Sequence, residues 1–454
     1  MITGNLNESK NLKQKIWIVL ALAIPAMIEN ILQTIVGFVD TLFVAKIGLN
    51  EVTAVGIANT ILAVYIAVLM AISVGTSSLI SRKVGAEDFK SAKIIAKKAS
   101  LLSIGFGLLF GIITLFFAQP LLNLMGGTKE VTDIATVYFK IVGIPAFLIA
   151  LMFTFGSILR AAGDTKTPMK VGIWINILHI ILDYVLIFGF GSFDGLGVAG
   201  AALATVLVRL VGVILLYRKI QQTTLAFHFL DKDATPNNWT TDLLKLSTPT
   251  AIERLIMRFG QVFYFGLIVK IGTETFAAHS IAGNIETFSY MPGLGLAVAA
   301  TTLVGQMYGA EKFKDAKEYG YITAGVGIVV MSLLGVFLFF TAPWLANLFT
   351  NDVSTQKMIV TALHVSALSQ PVLAIGLIIT GALQAIGDTK SPMYSTAIGM
   401  WCIRIVGVYV LGIQFDMGIL GIWLSIAIDL ILRAIFLTLK YHRHFKSLAI
   451  KQMH

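Results

Sequence analysis

The chain has 454 residues, of which 57% are hydrophobic and only 13% charged. Soluble domains carry roughly 25% charged residues, so the composition excludes an ordinary soluble globular protein and points to an all-α polytopic membrane protein. The net charge of +10 does not indicate nucleic acid, because the lysines and arginines cluster in short loops between apolar runs. Residues 1–15 are polar and lead into an apolar run far longer than a signal h-region, so they read as a cytoplasmic N-terminal tail. Apolar runs follow at 16–45, 52–80, 95–119, 132–158, 168–190 and 196–217. After a polar linker at 218–244, which includes Pro236-Asn237-Asn238, they resume at 245–270, 276–304, 319–345, 355–384, 393–413 and 418–439. This predicts twelve transmembrane helices, with an N-lobe at 16–217, a C-lobe at 245–440 and a C-terminal tail at 441–454. With the N-terminus inside, 24 of the 34 Lys and Arg fall in inner segments and 5 in outer ones, so both termini are expected in the cytoplasm. The only cysteine, Cys402, lies in an apolar run, which excludes an intrachain disulfide.

The first run carries Asp40 in its outer half. A carboxylate within hydrocarbon costs at least ~2.5–3.5 kcal/mol, so it must face protein or water. Glu29, Gln33 and Asp40 fall within about 40° of helix circumference, giving one polar stripe. The stripe either lines a cavity or fixes helix packing through hydrogen bonds.

The chain repeats itself at an offset of 224 residues. Gly85-Ala-Glu-Asp-Phe-Lys returns at Gly309 with Lys312 in place of Asp88, Gly163-Asp-Thr-Lys-Thr-Pro-Met returns at Gly387 with one Thr→Ser change, and Pro25, Glu29 and Arg209 match Pro249, Glu253 and Arg433. Six spans is an even number, so the two halves share one membrane orientation, related by a pseudo-two-fold axis along the membrane normal. The repeated glycine-rich turns read as helix corners rather than phosphate cradles. No Walker motif, CxxC or HExxH spacing occurs, which argues against an ATP-driven pump and a metalloenzyme.

Symmetric positions build scaffold, so asymmetric ones are the better candidates for chemistry. Asp40 corresponds to Tyr264, Asp183 to Gly407, His179 to Ile403 and Asn176 to Met400. Asn176, His179 and Asp183 share one face of the fifth span, at a depth similar to Asp40. Two facing carboxylates in an apolar site resist joint ionisation, which suits reversible proton binding. Thr205 adds a hydroxyl from the sixth span; His179 is either a relay partner or a neutral core imidazole. The C-lobe instead has a basic stripe of Arg254, Arg258 and Gln261, with Glu253 expected to pair with one of these arginines. Gln33, Asp40, Met257, Gln261 and Tyr264 are candidate substrate contacts.

Two six-span halves, P-x-x-x-E followed by V-D-T in the first span, the R-A-x-G-D-T-K-x-P-M turn, and D-Y-x-L-I-F-G followed by G-V-A-G-A-A-x-A-T carry a further signal. In these the chain resembles the multidrug and toxic compound extrusion (MATE) family, in particular its DinF-like prokaryotic branch. The resemblance implies a cation-coupled antiporter, not an enzyme, that exports bulky organic cations from the cell inner membrane without a cofactor, and a monomer is expected. It implies that Asp40 is the coupling residue with Asp183 and Thr205 beside it, and that Pro25 is the proline at which the first helix bends. His179 stands where proton-coupled members usually have Asn. Sodium-coupled relatives carry a seventh-span acid that would align near Met257, and a tenth-span acid that the run 355–384 lacks. The expectation is proton coupling, with sodium coupling as the main variant and a lipid-linked-sugar flippase, using Arg254, Arg258 and Arg404, as the rival class.

Overall fold

A computed structural model describes residues 11–453 except 192 and 232–237. Pro236 and Asn237 of the expected linker and most of the N-terminal tail therefore lie outside the described residues. The first half of the chain forms α1 (Leu12–Ala45), α2 (Leu49–Gly85), α3 (Phe89–Asn123), α4 (Lys129–Gly143), α5 (Ala146–Ala161), α6 (Lys166–Phe188) and α7 (Val198–Gln221). The second half forms α8 (Trp239–Ile271), α9 (Thr273–Gly309), α10 (Phe313–Phe349), α11 (Val353–Ala385), α12 (Lys390–Ala397) and α13 (Gly418–Met453). Nine of these helices, and the stretch Lys390–Gln414 that α12 begins, are long and apolar enough to cross a bilayer singly, and α4 with α5 forms an eleventh span, bent by 47°. The twelfth is α8, whose 33 residues carry Glu253, Arg254 and Arg258 in their middle. A two-stranded hairpin, Gly189–Phe190 against Phe193–Asp194, joins α6 to α7 and is the one departure from an all-α chain among the described residues.

The repeat is visible bond for bond at the helix corners. Gly163 and Gly387 adopt φ of 90° and 93°, which favours glycine. The N–H of Asp164 donates to Leu159 O and that of Asp388 to Leu383 O, each at 2.9 Å. The carboxylates then accept from Thr167 N and Ser391 N, again at 2.9 Å each. The other repeated turn places Glu87 and Glu311 at φ of 56° and 58°. Beyond it Asp88 caps α3 by accepting from Ser91 N at 3.0 Å. Burial pushes the Asp88 carboxyl up, but the Ser91 bonds and the Lys83 ammonium outweigh it and hold the carboxyl below the usual range. These motifs are scaffold.

By packing, the helices form two compact units. One contains Ile28–Val84 and Asp88–Ala251; the other contains the chain up to Met27, Gly85–Glu87 and Ile252–His454. The lobe limits expected from apolar runs fall between helices, whereas this division falls within α1 and α8. Each helix changes unit two residues beyond its internal proline, Pro25 or Pro249. Proline removes an intrahelical hydrogen bond and crowds the preceding turn, so both changes occur where a helix bends most easily. The first half of α1 buries Val19, Leu22 and Ala23 against Leu296, Leu303, Ile378 and Tyr441. Lys15 secures it, with Nζ 2.9 Å from Asp315 Oδ1 and 2.8 Å from Glu318 Oε2. The expected C-terminal tail continues α13, because Tyr441 and Phe445 are buried and the Tyr441 hydroxyl donates to Ala316 O at 2.8 Å.

Lipid tails are as apolar as leucine, so these helices associate by close packing rather than by escape from water. The bent fourth span shows how. A Cβ on Gly107 of α3 would come 2.2 Å from Phe147 Cα, and one on Gly111 would come 2.3 Å from Ile144 O. Gly105, on the same helix, would meet nothing within 4 Å. Gly107→Ala should therefore cost about 1–3 kcal/mol by forcing backbone apart. Gly105→Ala should be neutral or stabilising by up to about 1 kcal/mol. Thermal unfolding of the two variants in one detergent checks the contrast.

Candidate cation-coupling site

Four of the residues singled out from the sequence converge within one unit. α6 presents His179 and Asp183 one turn apart, and His179 Nε2 lies 3.4 Å from Asp183 Oδ2. From α7 the Thr205 hydroxyl lies 3.3 Å from the same imidazole nitrogen, while also donating to Ala201 O at 3.0 Å. Asp40 of α1 interacts electrostatically with Asp183. Asp183 is fully buried. Both of its carboxylate oxygens, and Asp40 Oδ1, are buried without a hydrogen-bond partner. Unmatched carboxylate oxygens in hydrocarbon are costly, so they are rarely kept for packing alone.

Two members of this cluster escaped the sequence reading. Tyr138 of α4, 3% exposed, interacts with Asp40, Asp183, Arg209 and Thr205. Arg209 of α7 interacts with Asp40 and Tyr138, and its Nη1 is buried without a hydrogen-bond partner. Arg209 is symmetric with Arg433, and a repeated residue reads as scaffold. Its i−4 neighbour supplies the missing signal: Thr205 corresponds to Asp429, so the two arginines have different partners.

In the other unit that difference closes the site. Arg433 Nε lies 2.5 Å from Asp429 Oδ1 and its Nη2 2.9 Å from Oδ2. Arg404 Nη2 adds a contact at 2.8 Å to Oδ2. The eleventh span makes room for this pairing by winding as π-helix over Ile398–Ile405 and Val408–Gln414, where its twin α6 is regular. Gly399 leaves the space that the ion pair fills, since a Cβ there would come 2.1 Å from Asp429 Oδ1. At Gly407, the counterpart of Asp183, a Cβ would come 2.7 Å from Ser425 Oγ. A carboxylate has no room there.

The remaining candidates are distributed elsewhere. Glu29 pairs with Arg160 at 3.0 Å and Gln33 is exposed, so the first-helix stripe is divided between an ion pair and an open side chain. Asn176 is half-buried on α6, one turn before His179. Pro25 is buried within α1. Glu253 accepts from Thr396 Oγ1 at 2.9 Å and interacts electrostatically with Arg254 and Arg433. Arg258 is exposed and donates to Gln261 Oε1 at 3.3 Å. Met257 packs at the edge of a core that contains Tyr264. Tyr264 is buried with its hydroxyl bonded to His279 Nε2. A second buried acid in this unit, Glu286, accepts from Ser366 Oγ at 2.7 Å; the sequence reading passed over it.

Comparison with known proteins gives the family and the fold. The MatE family model matches twice, at residues 25–185 and 249–410, once per repeat. A probable multidrug resistance protein NorM of Thermotoga maritima is 33% identical over 91% of this chain and 89% of its own length. An uncharacterised transporter of Bacillus subtilis, YisQ, is 30% identical over 91% of both chains. The solved structure of a MOP superfamily transporter from Pyrococcus furiosus is 25% identical, covers 97% of both chains and superposes with a TM-score of 0.88.

Asp429 answers two buried arginines at once. Asp429→Asn should destabilise the protein by about 3–5 kcal/mol, since it leaves both guanidinium groups short of a counter-charge. Adding Arg433→Met should recover part of the loss. Thermal unfolding and the monodisperse yield of the single and double variants test this.

Proposed function

Because the chain belongs to the multidrug and toxic compound extrusion (MATE) family, whose members are transporters and not enzymes, we propose that it is a secondary active antiporter that exports bulky organic, mostly cationic compounds in exchange for protons. In this reading it works as a monomer in the cell inner membrane with both termini in the cytoplasm, and it needs no cofactor. The observation that carries the reading is a fully buried Asp183 with neither carboxylate oxygen hydrogen-bonded, in the same unit as a half-buried Asp40 whose Oδ1 is buried and unbonded too. Such a pair favours holding a proton or a cationic ligand over standing doubly ionised.

The cycle follows from charge balance. With the site deprotonated, a lipophilic cation binds next to Asp40 from the cytoplasmic side. Protons entering from outside neutralise Asp40 and Asp183, remove the attraction and release the drug. The first helix shifts near Pro25 as the charge changes, and the protonated carrier turns inward and discharges. His179 stands within reach of Asp183, and Thr205 within reach of His179, to pass or hold a proton. Of the three arginines that a lipid-linked-sugar flippase would use, Arg254, Arg258 and Arg404, the last is paired with Asp429, which favours the antiport reading.

Proteoliposomes loaded with a cationic dye provide the test, with proton and sodium gradients imposed one at a time. A pH gradient without sodium should drive efflux, and Asp40→Asn should reduce it by at least about 100-fold, the loss of more than 2.7 kcal/mol of coupling. Dye movement that requires sodium, or wild-type transport by Asp40→Asn, would overturn proton coupling at Asp40.

A further inference from the structure

The N-terminal cluster contains a charge that the proton cycle above does not use. Its charged and titratable members are Asp40 on α1, Tyr138 on α4, His179 and Asp183 on α6, and Arg209 on α7. Arg209 is one turn past Thr205 on the same helix face. The equivalent arginine of the second repeat, Arg433, is locked at 2.5 and 2.9 Å onto its i−4 aspartate. Where that aspartate is replaced by Thr205, the guanidinium has no carboxylate on its own helix. It interacts instead with Asp40 and Tyr138, and its Nη1, like Asp40 Oδ1, is buried without a hydrogen-bond partner. An arginine is always protonated, so this is a permanent positive charge in a membrane-buried acidic site.

We propose that Arg209 is a tethered counter-cation for the Asp40–Asp183 pair, occupying the electrostatic role that a bound alkali cation would otherwise have, and so restricting the coupling ion to the proton. The proposal rests on the antiport reading. With both carboxylates ionised and His179 neutral, the cluster carries one net negative charge because Arg209 offsets the other. One proton, or one monovalent organic cation, then restores neutrality, and a second proton leaves the cluster positive, so that it repels a bound cation. Without Arg209 the same cluster would carry two negative charges and a set of carboxylate and hydroxyl oxygens, which are the ligands hard cations prefer. Arg209 thus decides both which ion couples and how many charges are exchanged.

The test has a binding arm and a transport arm. In detergent, the melting temperature of the wild type should be the same in sodium chloride and in choline chloride. Arg209→Met, which keeps side-chain length without charge, should be stabilised by sodium over choline, and Asp40→Asn/Arg209→Met should lose that response. In proteoliposomes, Arg209→Met should lose at least about tenfold of proton-driven dye efflux, while an inward sodium gradient restores part of it; Arg209→Lys should stay within about threefold of wild type. A sodium response already present in the wild type, or absent from folded Arg209→Met, would overturn the proposal. Should Arg209→Met not fold, Arg209→Lys decides: folded protein with efflux below about a tenth of wild type would mean that a point charge at this position is not what matters. Failure of dye transport in the wild type would overturn the antiport reading without altering the sodium-binding result.

Discussion

Hydrocarbon offers no hydrogen bonds and screens no charge, so each ionisable group buried in this chain must be answered by another part of the protein. Most of its buried charges are. Glu29 meets Arg160, Lys15 meets Asp315 and Glu318, and Asp429 takes both Arg404 and Arg433. The cluster of Asp40, Asp183 and Arg209 is different: three carboxylate oxygens and a guanidinium nitrogen there are buried without hydrogen bonds. In a membrane protein such an unfinished network is a place where an exchangeable charge can complete the set.

The internal repeat supplies a control for this conclusion. Both halves share the Gly-Asp-Thr-Lys corner turn, the prolines Pro25/Pro249 and Pro168/Pro392, and an arginine on the last helix of each repeat. At the site, a few side chains decide the difference. Thr205 against Asp429 decides whether that arginine is locked or available. Asp183 against Gly407 decides whether a carboxylate fits, because Ser425 fills the corresponding space. The regular winding of α6 against the π-helical winding of its twin accompanies the difference. One half has closed its charges into a structural ion pair and the other has kept them open.

The change of unit within α1 and α8 bears on how such a site is coupled to movement. Each helix has its proline within two residues of the point where its packing partners change. In α1 the second half carries Asp40, while the first half is fastened by Lys15 and by apolar packing on Leu296 and Ile378. A change of charge at Asp40 therefore acts on a helix that is anchored at one end and bends most easily in its middle.

The sequence by itself determined the membrane class, the twelve spans, the 224-residue repeat and the structural nature of its corner turns, and it singled out Asp40, Asp183, His179 and Thr205 as candidates that the fold then brings into one unit. Each of these rests on local chemistry: apolar runs of bilayer length, glycine and proline at turns, and carboxylates that hydrocarbon does not tolerate without a reason. Only the tertiary structure decided which buried charges are satisfied. Tyr138, Arg209 and Glu286 come from helices far apart in the chain, and pairing across helices has no signature in spacing. Symmetry concealed Arg209, since a repeated residue reads as scaffold until its partner is seen to differ. Likewise the lobe limits read from apolar runs assign whole helices, whereas contacts assign halves, because packing follows the bend at a proline rather than the end of a hydrophobic run.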